Sequence, residues 1–257
     1  MEIFLILVIG ALGLAVGSFI NAAVYRLRIR EFRSLLWGRS FCPSCKKTLA
    51  ARDLVPLLSF LWLKGKCRFC KKKIGSHYFW VELATAVAFL LTATFGPCGT
   101  GALLWNLFFV SVLIFLASFD AQFGEIPDEV AWPTAAIALL GSILVFAPGL
   151  PAALLGALVG GGFFTIIVLA SNGKWMGGGD IRLGLILGLL LGWRGFAAAL
   201  FIASLTGSLV GVYEIYRGRK KFKSPMPFAP FLAGGGIIAL LFAEKIWTWY
   251  LGLLFQI

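Results

Sequence analysis

Eight stretches of the chain are so apolar that none carries more than two charges: residues 3–25, 78–95, 102–119, 130–146, 152–170, 181–191, 196–216 and 228–254. Runs of about 20 apolar residues match the thickness of a bilayer core. Inside that core, backbone N–H and C=O groups must be satisfied within the segment itself, which leaves helices as the economical solution. The expected fold class is therefore an all-α polytopic membrane protein with about eight transmembrane helices. The run at 181–191 is the shortest. Gly13 and Gly17 stand four residues apart in the first run, a spacing that suits close helix contact, and Gly184, Gly188 and Gly192 repeat it, as do the pairs Gly156 with Gly160 and Gly207 with Gly211.

Charge is distributed as a topology signal. The net charge is +12, yet 14 of the 23 Lys and Arg fall between Arg26 and Lys73 and five more between Arg217 and Lys223. Basic clusters that abut apolar spans stay on the cytoplasmic side and meet anionic lipid headgroups, so the expected partner is the membrane surface, not nucleic acid. If the segment after the first helix is cytoplasmic, alternation puts residues 120–129, 171–182 and 217–227 there too. Those four loops hold 21 of the 23 basic residues. Both termini are then expected outside the cytoplasm, and Glu2 ahead of the first run argues against a cleaved signal peptide. The chain divides into a first transmembrane helix (1–25), a cytoplasmic basic segment (26–77) and a transmembrane core (78–257).

The basic segment carries two paired cysteines, Cys42-Pro-Ser-Cys45 and Cys67-Arg-Phe-Cys70, separated by 21 residues. Four thiolates in two such knuckles match tetrahedral Zn2+, and the spacing is that of a zinc ribbon. Four cysteines fill the coordination sphere, so the expected role is structural. A reducing cytoplasm disfavours the alternative of two disulfides. Cys98, in a turn expected on the opposite face, stands apart. His77 is the only histidine, which leaves histidine-based acid–base chemistry without an evident partner.

Two acids stand at the edges of apolar runs, Asp120 and Asp180, the latter in Gly177-Gly178-Gly179-Asp180. An ionisable group at such a place is costly unless it is used. Gly177 and Gly179 remove bulk and φ restriction beside Asp180. Alternation puts both acids on one side of the membrane, where two carboxyls can hold one proton between them, one serving as base for water and the other as acid for the leaving group. That is the chemistry of peptide hydrolysis without a metal. The alternative has Asp120 pairing with Arg182 or capping a helix. Glu125, Asp128 and Glu129 make the loop after Asp120 acidic, suited to attract a cationic substrate. Asp128 belongs with them or caps the following helix.

These residues resemble those of the type IV prepilin peptidases, intramembrane aspartyl proteases of the GxGD kind. The resemblance runs nearly end to end: Gly17-Ser-Phe-Ile-Asn21, the two cysteine pairs, Val81-Glu82-Leu83, Asp120 with Ile126-Pro-Asp128, the Gly177–Asp180 motif and Pro227-Phe-Ala-Pro-Phe231. It implies cleavage of a short basic leader from prepilins or secretion pseudopilins at the cytoplasmic face. Asp120 and Asp180 match the catalytic pair, and Cys42, Cys45, Cys67 and Cys70 the metal ligands. The resemblance also implies N-methylation of the new terminus from S-adenosylmethionine. No Rossmann-type glycine fingerprint is present, so such a cofactor site must come from the basic segment and helix ends. The chain departs from the family pattern at Arg28, His77-Tyr78-Phe79, Arg182 and Ala229. Three other readings remain: a GxGD protease acting on other membrane peptides, a non-enzymatic scaffold or transporter with a zinc-stabilised docking domain, and a chain that only methylates.

Overall fold

The computed structural model describes residues 3–29, 38–97, 99–144, 148–221, 224 and 226–255; Cys98 lies outside them. Every one of the eight apolar runs is helical within the described residues. The helices are α1 (Ile3–Arg28), α2 (Leu58–Trp62), α3 (His77–Phe95), α4 (Thr100–Phe123), α5 (Asp128–Ile143), α6 (Leu150–Ala170), α7 (Gly178–Tyr216) and α8 (Ala229–Phe255). Among the described residues, six helices are long and apolar enough to cross a membrane: α1, α3, α4, α6, α7 and α8. α5, with 16 residues, is shorter. Large apolar side chains such as Leu158, Ile166, Phe201 and Leu209 are exposed, as they must be where the solvent is lipid.

The chain forms two compact units. The first comprises residues 1–96 with 107–118, the second residues 97–106 with 119–257, and α4 contributes to both.

In the first unit α1 and α3 pack closely because Gly13 and Gly17 leave room. A Cβ on Gly13 would sit 2.7 Å from the Ala86 Cα, and one on Gly17 2.7 Å from the Glu82 Cα. Helix backbones this close exclude any side chain, as the four-residue spacing predicts. The segment between these helices is irregular, with one 3-10 turn at Ala51–Asp53 and the short α2. Its ordering comes from polar ties. Arg68 Nε donates to Asp53 Oδ1 at 2.6 Å, and the Leu57 N–H donates to Glu82 Oε2 at 2.8 Å.

In the second unit α7 packs against α5, α6 and α8. The α6–α7 seam is glycine on glycine. A Cβ on Gly184 would lie 2.7 Å from the Gly160 carbonyl oxygen, while one on Gly188 would strike the Gly156 backbone. Ala198 and Ala199 of α7 bury with Ala239 of α8. The runs at 181–191 and 196–216 join into the 39 residues of α7, whose helical geometry breaks at Gly192 (φ 66°, ψ 177°). A continuous helix of that length would extend about 58 Å, roughly twice the bilayer core, so the break makes two segments of it. Trp193, Trp247 and Tyr250 gather beside the break, with ring centroids 5.8 and 5.9 Å apart, and the Trp247 Nε1–H donates to the Arg194 carbonyl at 2.9 Å. Trp and Tyr of this kind are enriched at the level of the lipid headgroups.

Candidate active site and metal centre

Asp120 sits in the last turn of α4. Its carbonyl accepts from the Gly124 N–H at 2.8 Å, and Gly124 closes the helix in the left-handed region (φ 70°). A glycine takes this conformation without steric cost, so the chain leaves α4 sharply just past the carboxylate. Asp180 is the third residue of α7, after an extended Gly177 at the N-cap. There the unpaired N–H groups of the first helical turn favour a negative charge. Of the glycines before it, Gly179 is the one that space demands: a Cβ would meet the Ile126 side chain at 3.2 Å. Gly177 has an ordinary φ of −86° and Gly178 faces nothing within 4 Å. Freedom at φ is therefore not what the motif supplies; close approach at Gly179 is.

The structure brings the two acids together. Asp120 and Asp180 line one cavity of about 410 Å³, with Glu125, Gly177, Gly179 and, on the far wall, Pro227 and Phe228. Asp120 Oδ2 is buried with no hydrogen-bond partner among the described residues. A buried carboxylate oxygen left over in this way is suited to a water or a substrate atom. The chain just ahead of α8 enters the site through Pro227 and Phe228, residues with no titratable chemistry to mark them in the sequence.

Asp128 does not line this cavity. Pro127 takes the N-cap position and Asp128 is the first helical residue. Its side chain is held by Arg182, Nε to Oδ1 at 2.5 Å and Nη2 to Oδ2 at 3.0 Å. The expected alternative partner of Asp120, Arg182, is thus engaged elsewhere. Glu129 is exposed on the first turn of α5 and does not line the cavity, whereas Glu125 does.

In the first unit the four cysteines converge. The Sγ atoms of Cys42, Cys45, Cys67 and Cys70 lie within 4.8 Å of one another, and Cys42 and Cys70 are 3.9 Å apart. Tetrahedral zinc with bonds of about 2.3 Å puts sulfurs about 3.8 Å apart. Each knuckle is built the same way. The backbone N–H groups of Cys42 and Cys67 donate to the carbonyls of Lys47 and Lys72, and their carbonyls accept from the N–H groups of Lys46 and Lys71. Lys46 and Lys71 both turn through positive φ (59° and 58°), and antiparallel bridges Phe41 to Thr48 and Lys66 to Lys73 close the loops. The donor set and its spacing fit a metal ion held by four thiolates.

The first unit also encloses a cavity of about 650 Å³ lined by residues of α1, α3 and the intervening segment, among them Asn21, Tyr25, Tyr78 and Glu82. Asn21 Nδ2 donates to the Tyr78 carbonyl at 3.0 Å, and Asn21 Oδ1 is buried without a partner among the described residues.

A bundle of apolar helices with paired acids at one cavity and a four-cysteine centre defines a multi-pass membrane protein with the parts of an aspartic hydrolase. Residues 11–95 match the bacterial peptidase A24 N-terminal domain and residues 107–212 the type IV leader peptidase family. The chain belongs to the type IV leader peptidase family. It is 35% identical to a prepilin leader peptidase/N-methyltransferase of Burkholderia pseudomallei, over 92% of this chain and 85% of that one. A Bacillus subtilis protein of the same name is 37% identical over 93% of this chain and 95% of its own length, and one from Legionella pneumophila 31% identical over 97% and 95%. No solved structure matches the chain. Family and apolar helices together make this a multi-pass inner-membrane protein.

Proposed function

We propose that this chain removes the leader peptide from type IV prepilins or pseudopilins at the cytoplasmic face and N-methylates the residue so exposed, with Asp120 and Asp180 as the catalytic pair. The observation that carries the peptidase reading is the meeting of both acids at one cavity, although 60 residues separate them. In the reactive state the pair holds one proton. The ionised aspartate takes a proton from water as the oxygen attacks the scissile carbonyl, and the protonated one gives its proton to the departing amine. Oδ2 of Asp120 is the acceptor left over, and Gly179 lets the Ile126 side chain pack against the backbone next to Asp180. Glu125 and, at longer range, Glu129 attract the basic leader.

Cys42, Cys45, Cys67 and Cys70 hold structural Zn2+, which organises the segment between α1 and α3. S-adenosylmethionine, when bound, supplies a methyl group to the free amine, its C–S electron pair staying on sulfur as the amine sheds a proton to solvent. The exposed basic residues of the segment between α1 and α3, such as Lys46, Lys47 and Lys72, and Arg219 after α7 meet anionic lipid headgroups on the cytoplasmic side, with no nucleic acid as partner.

The test mixes purified protein with a prepilin and reads intact mass. Wild type should yield the leader-less product and, with S-adenosylmethionine, a further methyl increment. Asp120→Asn and Asp180→Asn should each lower cleavage by about 10³-fold. Cleavage by either variant at the wild-type rate would remove the pair from the mechanism.

A further inference from the structure

We propose that Met176 and Met226 form an adaptable apolar subsite of the aspartate cavity that seats the side chain of the residue just after the cleaved bond, and so set which apolar residues are accepted there. The inference rests on the peptidase reading above and adds to it two specificity-determining residues.

The sequence contains three methionines, of which Met1 is the first residue. The other two stand in different segments, and both line the cavity of about 410 Å³ that holds Asp120 and Asp180. In a chain that is 60% hydrophobic, every methionine after the first is thus found at this one wall. Methionine is unbranched and polarizable, fits its shape to what it meets, and is over-used at surfaces that accept varied apolar partners.

The lining divides by segment. Its polar residues, Asp120, Gln122, Glu125 and Asp180, come from the end of α4, the loop after it and the first turn of α7. Its apolar ones come from two segments that lead into helices, Trp175 and Met176 ahead of α7 and Met226, Pro227 and Phe228 ahead of α8. No Lys or Arg lines the cavity among the described residues. A basic leader residue gains from the acids, whereas against the apolar wall it would lose hydration with no counter-charge in return. The apolar wall therefore suits the other side of the cut, and an apolar side chain there.

This wall has a fixed part and a pliable one. A Cβ on Gly211 would meet the Met226 Cε at 3.5 Å, and one on Gly207 the Phe231 ring at 3.5 Å, so the segment entering α8 lies along the Gly207–Gly211 face of α7. The Phe228 ring stands 6.1 Å from that of Phe164 on α6. Pro227 and the braced Phe228 hold their shape, while both methionines are half-buried, with apolar surface left for a ligand.

The experiment uses the full chain with its metal in detergent and prepilins that differ only in the residue after the cut: Ala, Leu, Phe or Asp. Substrates are mixed in pairs, and the intact masses of the products give the ratio of kcat/KM values, which cancels any loss of folded enzyme. Wild type should accept Ala, Leu and Phe within about tenfold of one another and Asp at least about a hundredfold less well. Met176→Ala and Met226→Ala empty the wall and should each raise the Phe-to-Ala ratio about fivefold or more; Met226→Phe fills it and should lower that ratio. Photo-leucine placed after the cut and cross-linked to the Asp120→Asn chain is expected on peptides that contain Met176 or Met226. Ratios within about twofold of wild type in all three variants, as for a wall turned only to lipid, or cross-links confined to other segments, overturn the subsite and leave the aspartate pair standing. Should an alanine variant cleave nothing, the cross-link decides. Wild type that cuts none of these prepilins overturns the peptidase reading and the subsite with it.

Discussion

Arg182 grips Asp128 through both carboxylate oxygens, at 2.5 and 3.0 Å, and so ties the first residue of α5 to the first turn of α7 two positions beyond Asp180. The pair is part exposed, with side-chain accessibilities of 29% and 53%, so its contribution to stability is only about 0.5 kcal/mol. Its consequence is geometric: it sets where the Asp180 turn lies against Ile126. Arg182→Gln and Asp128→Asn should each lower kcat for leader removal by about two- to tenfold with KM little changed. The double variant should be no worse than either single, because both remove one interaction. Losses that multiply in the double variant would separate the two residues.

The α6–α7 seam offers a test of stability with its own control. Gly188→Ala drives a Cβ into the Gly156 backbone, which has no side chain to yield, whereas Gly162 on the same helix α6 faces nothing within 4 Å. Overpacking of this kind costs about 1–3 kcal/mol. Gly188→Ala should therefore lower the melting temperature in detergent, and Gly162→Ala should leave it within about a degree or two, as surface changes do. Equal melting temperatures would mean that the helices are not in contact there.

How much of this was legible in the sequence follows from the range of the interactions. The cysteine knuckles were fully legible, because their ligands sit in two local pairs and metal chemistry dictates the rest. The glycine seams were legible as spacing, though not which helix each would meet. Asp120 and Asp180 could be paired by alternation of loops across the membrane, a global rule that needs no coordinates. By contrast, the engagement of Arg182 with Asp128 spans 54 positions and depends on where α5 begins. Asn21 and Glu82 read only as parts of a family pattern, since the cavity they share is made by an irregular segment with no periodicity. The division of α7 was legible as the gap between the apolar runs at 181–191 and 196–216, and the helix breaks there at Gly192.

Metal removal should act on the segment between α1 and α3. Protons compete with the metal for thiolates. Each of the four sulfurs must shed its proton to bind the metal, so the competition from protons grows as pH falls. Zinc should thus be retained at pH 8 and leave to a chelator about tenfold faster at pH 6. Loss should open residues 38–76 to protease. Elemental analysis and limited proteolysis check both, and Cys67→Ser should reproduce the chelated state at pH 8. A protease pattern indifferent to chelation would deny the cysteines a structural role.

The acidic loop after α4 separates two modes of substrate attraction. Both are exposed, but Glu125 lines the aspartate cavity while Glu129 stands on α5 outside it. A charge at the cavity wall acts on a bound leader at shorter range than one outside it, whose field weakens over a Debye length of about 10 Å at 0.1 M salt. Glu125→Gln should raise KM for a Lys- and Arg-containing leader about three- to tenfold at low salt, and Glu129→Gln less than about twofold. On a leader with its basic residues replaced by Gln, both variants should match wild type, and raising salt to 0.5 M should shrink the Glu129 effect before the Glu125 effect. Steady-state kinetics on the two leaders decides the matter. A KM rise of the same size for the neutral leader, or a fall in kcat in place of a KM change, would mean that Glu125 shapes the cavity and does not read the charge of what enters it.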